Sequence, residues 1–395
     1  MITIGIIIVA VLILTDPFQI FEKLFGGGMP HIRPETTQPL SRHIEEHHSA
    51  PAEYIVDRFS DAELVFLGAF SQIKEHTELV KELIPRLQEA GIHTMGMQFA
   101  LSQDQQRIDD LITGSTFDRE EAEQLLFRRL SIWGYQEYVD LFRAAWQVNQ
   151  DRAAGEPAFR IVGLGVRRYY EHVKEEEDAQ QAETVQKVFR EGVPDAHMAE
   201  IIQRRILDEG KRALIFTEIN HAFTHYEQKT YRQEMDGLGF DETRRTGNII
   251  HDRIGDRAVT VLLHSPWPKE SGQHGLGYAL GGVLDNLLER LDEQYRHVGF
   301  DVPDTPFADL EVVNSTYAQG YDSLTFADLA HGYVFLGPVY RYSGVTSIPH
   351  FITTENLDTA KRFFPGPVPD GAKAVDLNNY IERVSDNLEH IMRRF

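Results

Sequence analysis

Short apolar runs recur along this chain at intervals too long for hairpins, and that spacing is its strongest constraint. LVFLG (64–68), IHTMGMQFA (92–100), FRIVGLGV (159–166), ALIFT (213–217), AVTVLLH (258–264) and GYVFLG (332–337) each read as a strand. Most are apolar without interruption, as expected of strands buried on both faces. Between them lie helical patterns: 75–89, with Leu79, Leu83 and Leu87 at i, i+4 and i+8, then 103–112, 119–130 and 135–150. A charged helix is expected through 171–188, and another over 196–209 that stops at Gly210. Doubly buried strands separated by helices pack as an α/β fold: a mostly parallel sheet flanked by helices.

Composition narrows the chemistry. The chain carries 39 Lys+Arg against 61 Asp+Glu, a formal charge of −22. Nucleic-acid backbones are bound by Lys and Arg releasing counterions, so no nucleic-acid partner is expected. Cysteine is absent, which removes disulfides, thiolate metal sites, covalent haem attachment and a cysteine nucleophile. Only 10 of the basic residues are lysine. An acidic, lysine-poor exterior suits high salt, where screening suppresses self-repulsion.

The first residues form a separate unit. Residues 2–14 (ITIGIIIVAVLIL) hold no charge. As a helix they rise about 20 Å, short of a hydrocarbon core of about 30 Å, and Phe18, Ile20 and Phe21 extend the run. Nothing basic precedes Lys23 and no A-x-A cleavage pattern follows, which argues against a secretory leader. The expectation is a hydrophobic membrane segment over 1–25, with a leader or a buried element as alternatives. A Gly/Pro-rich tether (26–40) and a single α/β domain (41–395) follow, the domain anchored on the extracytoplasmic side with membrane-protein partners.

Ligands of open α/β sheets bind outside the carboxyl ends of strands. Those positions hold Ala69, Ser71, Gln72, Glu75 and His76 after the first strand, and Gln98 near the end of the second. Glu218, Asn220, His221 and His225 follow the fourth, and His264 and Ser265 the fifth. In order and spacing, LGAFSQIKEH (67–76), MGMQFALSQDQQRIDDLI (95–112), TEINHA (217–222), GNIIHDRIGDRAVTVLLHSP (247–266) and HGYVFLGP (331–338) resemble one superfamily. It comprises ChaN-like haem-uptake proteins, Tiki-type metalloproteases and erythromycin-esterase-like enzymes. The resemblance covers roughly residues 50–365.

The resemblance implies a carboxylate–histidine cluster that holds a divalent ion or activates water. Here Ala69 stands where the family usually has Glu, Ser71 where it has its first His, Gln98 for the second-strand Glu, and Glu218 for a Gly. His331 sits where Asp is common, while His76 and His221 persist with Glu75 alongside. With both carboxylates replaced, the chain is expected to be a degenerate, non-catalytic member (a pseudoenzyme) acting as a membrane-tethered binding or scaffold subunit. The alternatives are a metal-dependent hydrolase of ester or peptide bonds and a haem or metallo-ligand binding protein. For these, the catalytic candidates are His76, His221 and Ser71, and the metal candidates Glu75, His76, Glu218, His221 and His225. Tyr169, Tyr170 and Tyr226 are the available haem ligands. A nucleophilic Ser71 needs an adjacent base and an oxyanion hole. HIEEH (43–47) matches an H-x-x-E-H metal pattern but reads as an exposed helix, and SGQHGLGYALGG (271–282) as a loop before a helix over 283–297.

Overall fold

A computed structural model describes residues 32–270 and 275–395. The membrane segment expected over 1–25 lies outside the described residues, as do the first part of the tether and residues 271–274. Among the described residues no helix is long and apolar enough to cross a membrane.

The strands in chain order are β1 (Leu64–Ala69), β2 (Thr94–Leu101), β3 (Arg160–Gly165), β4 (Ala213–Glu218), β5 (Ala258–Leu263), a short β6/β7 ribbon (Trp267–Pro268, Leu276–Gly277), β8 (Val298–Asp301) and β9 (Gly332–Phe335). Seven of them form one sheet in the order β3-β2-β4-β1-β5-β9-β8. All its neighbours are parallel except the edge pair β8/β9. The apolar runs thus become doubly covered parallel strands, as their composition requires.

Alternation along each strand divides the sheet into two faces. Val65, Leu67, Ala69, Leu214 and Phe216 pack on one face with Leu79 and Leu83 of the helix Lys74–Glu89 and Tyr138 and Phe142 of the helix Gln136–Asp151. Leu64, Phe66, Ala213 and Ile215 pack on the other with Met198 and Ile202 of Pro194–Ile202 and Ile250 of Thr246–Ile254. The segment after β1 therefore leaves to one face and the segment after its neighbour β4 to the opposite one. A crevice opens outside the carboxyl ends of such a strand pair.

Four local features differ from the sequence pattern. The charged stretch 171–188 breaks into turns at Tyr170–His172 and Glu176–Gln180 before the helix Ala182–Val188. Consecutive carboxylates repel along a helix, and Asp178 instead accepts the backbone N–H groups of Lys174 (2.8 Å) and Glu175 (3.0 Å). The tether expected to run to residue 40 ends early: a helix begins at Pro34 and runs to His47, burying Thr37, Leu40 and Ile44. Strand β8 and the C-terminal helix Ala374–Met392 carry no strong motif, yet the helix buries Leu377, Ile381, Val384 and Leu388. The helix expected over 283–297 ends at Arg290.

Candidate active site at the ends of β1 and β4

His76, which closes the LGAFSQIKEH stretch after β1, is fully buried and saturated. The Phe70 N–H donates to its Nδ1 at 3.1 Å, which places the ring proton on Nε2, and Nε2 donates to the His264 carbonyl at 3.0 Å. Burial pushes the imidazole down to about 3, so it stays neutral. His76 clips the segment after β1 to the one after β5 and has no lone pair left for a metal or a proton. Glu75 is committed as well, accepting the Ser343 N–H at 3.1 Å. His264 is buried between the Tyr333 hydroxyl (2.8 Å) and Asp285 Oδ1 (3.2 Å).

Glu218 is the ionisable group at the carboxyl end of β4. It is half-buried, and its Cα pairs in register with Ala69 of β1. Adjacent strands run about 4.8 Å apart, so the Glu218 side chain stands beside the Ala69 methyl on the same face of the sheet. The Ser71 hydroxyl donates to Glu218 Oε1, and the Tyr138 hydroxyl donates to the Ser71 carbonyl at 2.8 Å. Gln98 Oε1 accepts the Glu218 N–H at 2.8 Å. A register shift in the β2/β3 pairing between Met97 and Leu101 surrounds Gln98, and bulges of this kind re-aim side chains. Gly165 accommodates it, since a Cβ there would lie 2.7 Å from the Gln98 carbonyl.

Burial drives the Glu218 carboxyl up to about 7, against the opposing pull of the Ser71 hydrogen bond and of Arg129 and Arg168. Arg129 is pushed down to about 10, first by burial and then by repulsion from Arg168. Its Nη1 and the Arg168 Nε are buried without hydrogen-bond partners. Two guanidiniums thus act on this one carboxyl, in a chain of charge −22. Arg129, Tyr138 and Arg168 belong to no motif. Arg168 lies three residues beyond the end of β3, so the strand-end rule alone points to it.

His221 lies in the same TEINHA stretch but faces the other side of the sheet. Its Nδ1 meets Asp195 Oδ1 at 2.6 Å, and Asp195 also takes Arg245 Nη1 (3.2 Å), the Thr246 N–H (2.8 Å) and the Thr246 hydroxyl (2.9 Å). Burial alone would raise the Asp195 carboxyl, but the His221 and Arg245 charges outweigh it and hold it well below the usual range. Arg245 is completed by Gln228 Oε1 at 2.7 Å and by the Tyr231 ring 3.5 Å beneath it. No feature of VPDAHMAE (193–200) marks Asp195 in advance.

The metal candidates Glu75, His76, Glu218, His221 and His225 therefore do not converge. Two are spent on backbone groups, Glu218 and His221 diverge to opposite faces, and His225 stands beside His251 and Asp256. This set does not fit a strand-end ion. Tyr169, Tyr170 and Tyr226 are likewise engaged, with Glu191, Arg168 and the Tyr317 carbonyl respectively. Ser71 is fully buried, which makes it the donor that holds Glu218 rather than an accessible nucleophile. His43 and His47 share one helix face with ring centroids 4.8 Å apart.

No family model matches the chain, and no curated protein sequence matches it. Solved structures do. A structural-genomics protein from Bacillus cereus superposes with a TM-score of 0.53 at 11% identity, covering 81% of this chain and 100% of its own. A succinoglycan biosynthesis protein gives 0.53 at 10% identity, covering 80% and 99%. The chain has their fold. ChaN of Campylobacter jejuni, whose structure shows cofacial haem binding, aligns over 58% of this chain at 12% identity with a TM-score of 0.35. At such identities the likeness speaks for architecture, and function rests on the site.

Proposed function

We propose that the protein is a membrane-tethered α/β domain that binds a small anionic molecule in the β1/β4 crevice and hydrolyses an ester-type bond in it. Glu218 takes the proton of the attacking water. One observation carries this reading: a carboxyl pushed to about 7 beside two incompletely paired arginines. A base that titrates near the working pH is both available and strong enough to accept a proton, an effect typically worth about 10²–10⁴ in rate. Arg129 and Arg168 favour a ligand carboxylate or phosphate and the negative charge that develops on the attacked group. The expectation of a non-catalytic domain rested on the carboxylates missing at 69 and 98, and Glu218 restores one a strand away.

The test is hydrolysis of a panel of anionic aryl esters and phosphate esters by the full chain. The reading expects a rate that rises with pH through about 7, falls about 10²-fold or more in Glu218→Gln, and shows a raised KM in Arg129→Ala. Hydrolysis that Glu218→Gln leaves intact would remove Glu218 from the chemistry. The anchor at 1–25 is part of the proposal, and retention of the chain in carbonate-washed membranes, lost on deleting 1–31, supports it.

A further inference from the structure

The loop after β4 doubles back from the strand ends. Thr260 Oγ1 donates to the Ala222 carbonyl at 2.8 Å and accepts the Thr224 N–H at 3.1 Å, drawing the chain along β5. This brings His225 to the helix Thr246–Ile254 and the turn beyond it. His225 Nε2 lies 3.7 Å from Asp256 Oδ1, and His251 Nε2 lies 3.6 Å from the same oxygen. The two imidazole centroids are 4.1 Å apart. One donor atom from each of the three residues lies within 4.8 Å of the others. His251 Nε2 is buried and has no hydrogen-bond partner.

We propose that His225, His251 and Asp256 form a binding site for a divalent transition ion of the zinc class, its fourth position left to solvent. Separations of 3.6 and 3.7 Å are too long for hydrogen bonds. They approach the roughly 3.3 Å that two ligands span across a tetrahedral ion with bonds of about 2.05 Å. Two imidazoles and one carboxylate favour zinc over calcium or magnesium, which take oxygen donors. His331 stands 4.7 Å from His225 between ring centroids, but its Nδ1 accepts the Thr260 N–H at 3.0 Å. Its proton therefore sits on Nε2, so His331 adds a donor beside the ion and not a ligand. Gly255, at φ 62°, makes the turn that swings Asp256 back toward His251. A bound ion ties the loop after β4 to the helix before β5. The site is separate from Glu218, because that helix packs on the other face of the sheet.

Calorimetric titration of Zn²⁺ into the full chain, stripped with a chelator, tests this. The expected result is one saturable equivalent at pH 7.5, weakened at least about 100-fold in His251→Ala and about tenfold in Asp256→Asn. The Asp256 side chain is 97% exposed, so its replacement reads ligation without disturbing the fold. The double variant His43→Ala/His47→Ala controls for the half-buried His43 and exposed His47 on the first helix and should bind as the wild type does. No saturable zinc, binding indifferent to both site variants, or an equivalent lost with His43 and His47 overturns the assignment.

Discussion

Replacing Glu218 by Gln should stabilise this protein, and only at neutral to alkaline pH. In the unfolded chain the carboxyl ionises near its ordinary value of 4.5, whereas in the fold burial holds it at about 7. Between those values the folded state binds the extra proton, so stability falls as pH rises from about 4.5 to about 7 and is flat above. At about 1.4 kcal/mol per pH unit the interval amounts to about 3 kcal/mol. The residue keeps some exposed surface, which reduces the measurable effect to about 2 kcal/mol. Glutamine keeps the oxygen that accepts from Ser71 and has nothing to titrate. Urea unfolding of both proteins at pH 5 and pH 8 reads the difference, and the comparison cancels every other titrating group. The variant should match the wild type closely at pH 5 and exceed it by about 2 kcal/mol at pH 8. A difference that does not change with pH refutes the reasoning. So does a less stable variant at pH 8, because Arg129 and Arg168 would then be stabilising the carboxylate beyond the cost of its burial.

Asp195→Ala leaves the buried Arg245 without its countercharge and should cost about 3–5 kcal/mol in urea unfolding. Because the Asp195 carboxyl is held low in the fold, its contribution should be present above about pH 4 and disappear as the pH falls further. His76→Phe strands the Phe70 N–H and the His264 carbonyl, for a loss of about 2–4 kcal/mol at pH 7. His76 is held at about 3, below its ordinary 6.5, so the wild type loses stability on acidification between those values. A pH series of unfolding midpoints should show that slope reduced in the variant. Gly247→Ala sets a Cβ 2.3 Å from the Phe223 carbonyl oxygen and should lower stability by about 3 kcal/mol, visible as a drop in melting temperature.

The sheet is legible in the sequence because doubly buried strands have little choice of residue. LVFLG, FRIVGLGV and ALIFT became β1, β3 and β4 within a residue or two of the expected limits. Where burial did not dictate composition, the pattern was silent or misled. β8 is four residues at an edge, and the acidic stretch 171–188 offers no apolar stripe to hold a continuous helix. The place of the candidate site also follows from the strand-end rule, but the roles of its residues do not. Whether His76 is a ligand or a clip depends on which backbone groups meet its two nitrogens, and those groups come from the far ends of loops. Asp195 and Arg245 are set against each other by packing across 50 residues of chain, with no local signature of either.

A motif assigns chemistry to positions, whereas a strand-end crevice assigns it to a volume. Ala69 and Glu218 pair across two parallel strands, so their side chains stand side by side on one face of the sheet, the small residue beside the acid. The position on β4 also sets the charge the group experiences. From β4, Glu218 feels Arg129 and Arg168 as well as the Ser71 hydroxyl, and burial still holds it near neutrality. A purely structural carboxylate in such company would be expected to form a full ion pair with one of the guanidiniums. Glu218 instead spends its hydrogen bond on Ser71, while Arg129 Nη1 and Arg168 Nε stay unpaired. Donors left open beside a base that titrates near neutrality are what an anionic ligand would complete.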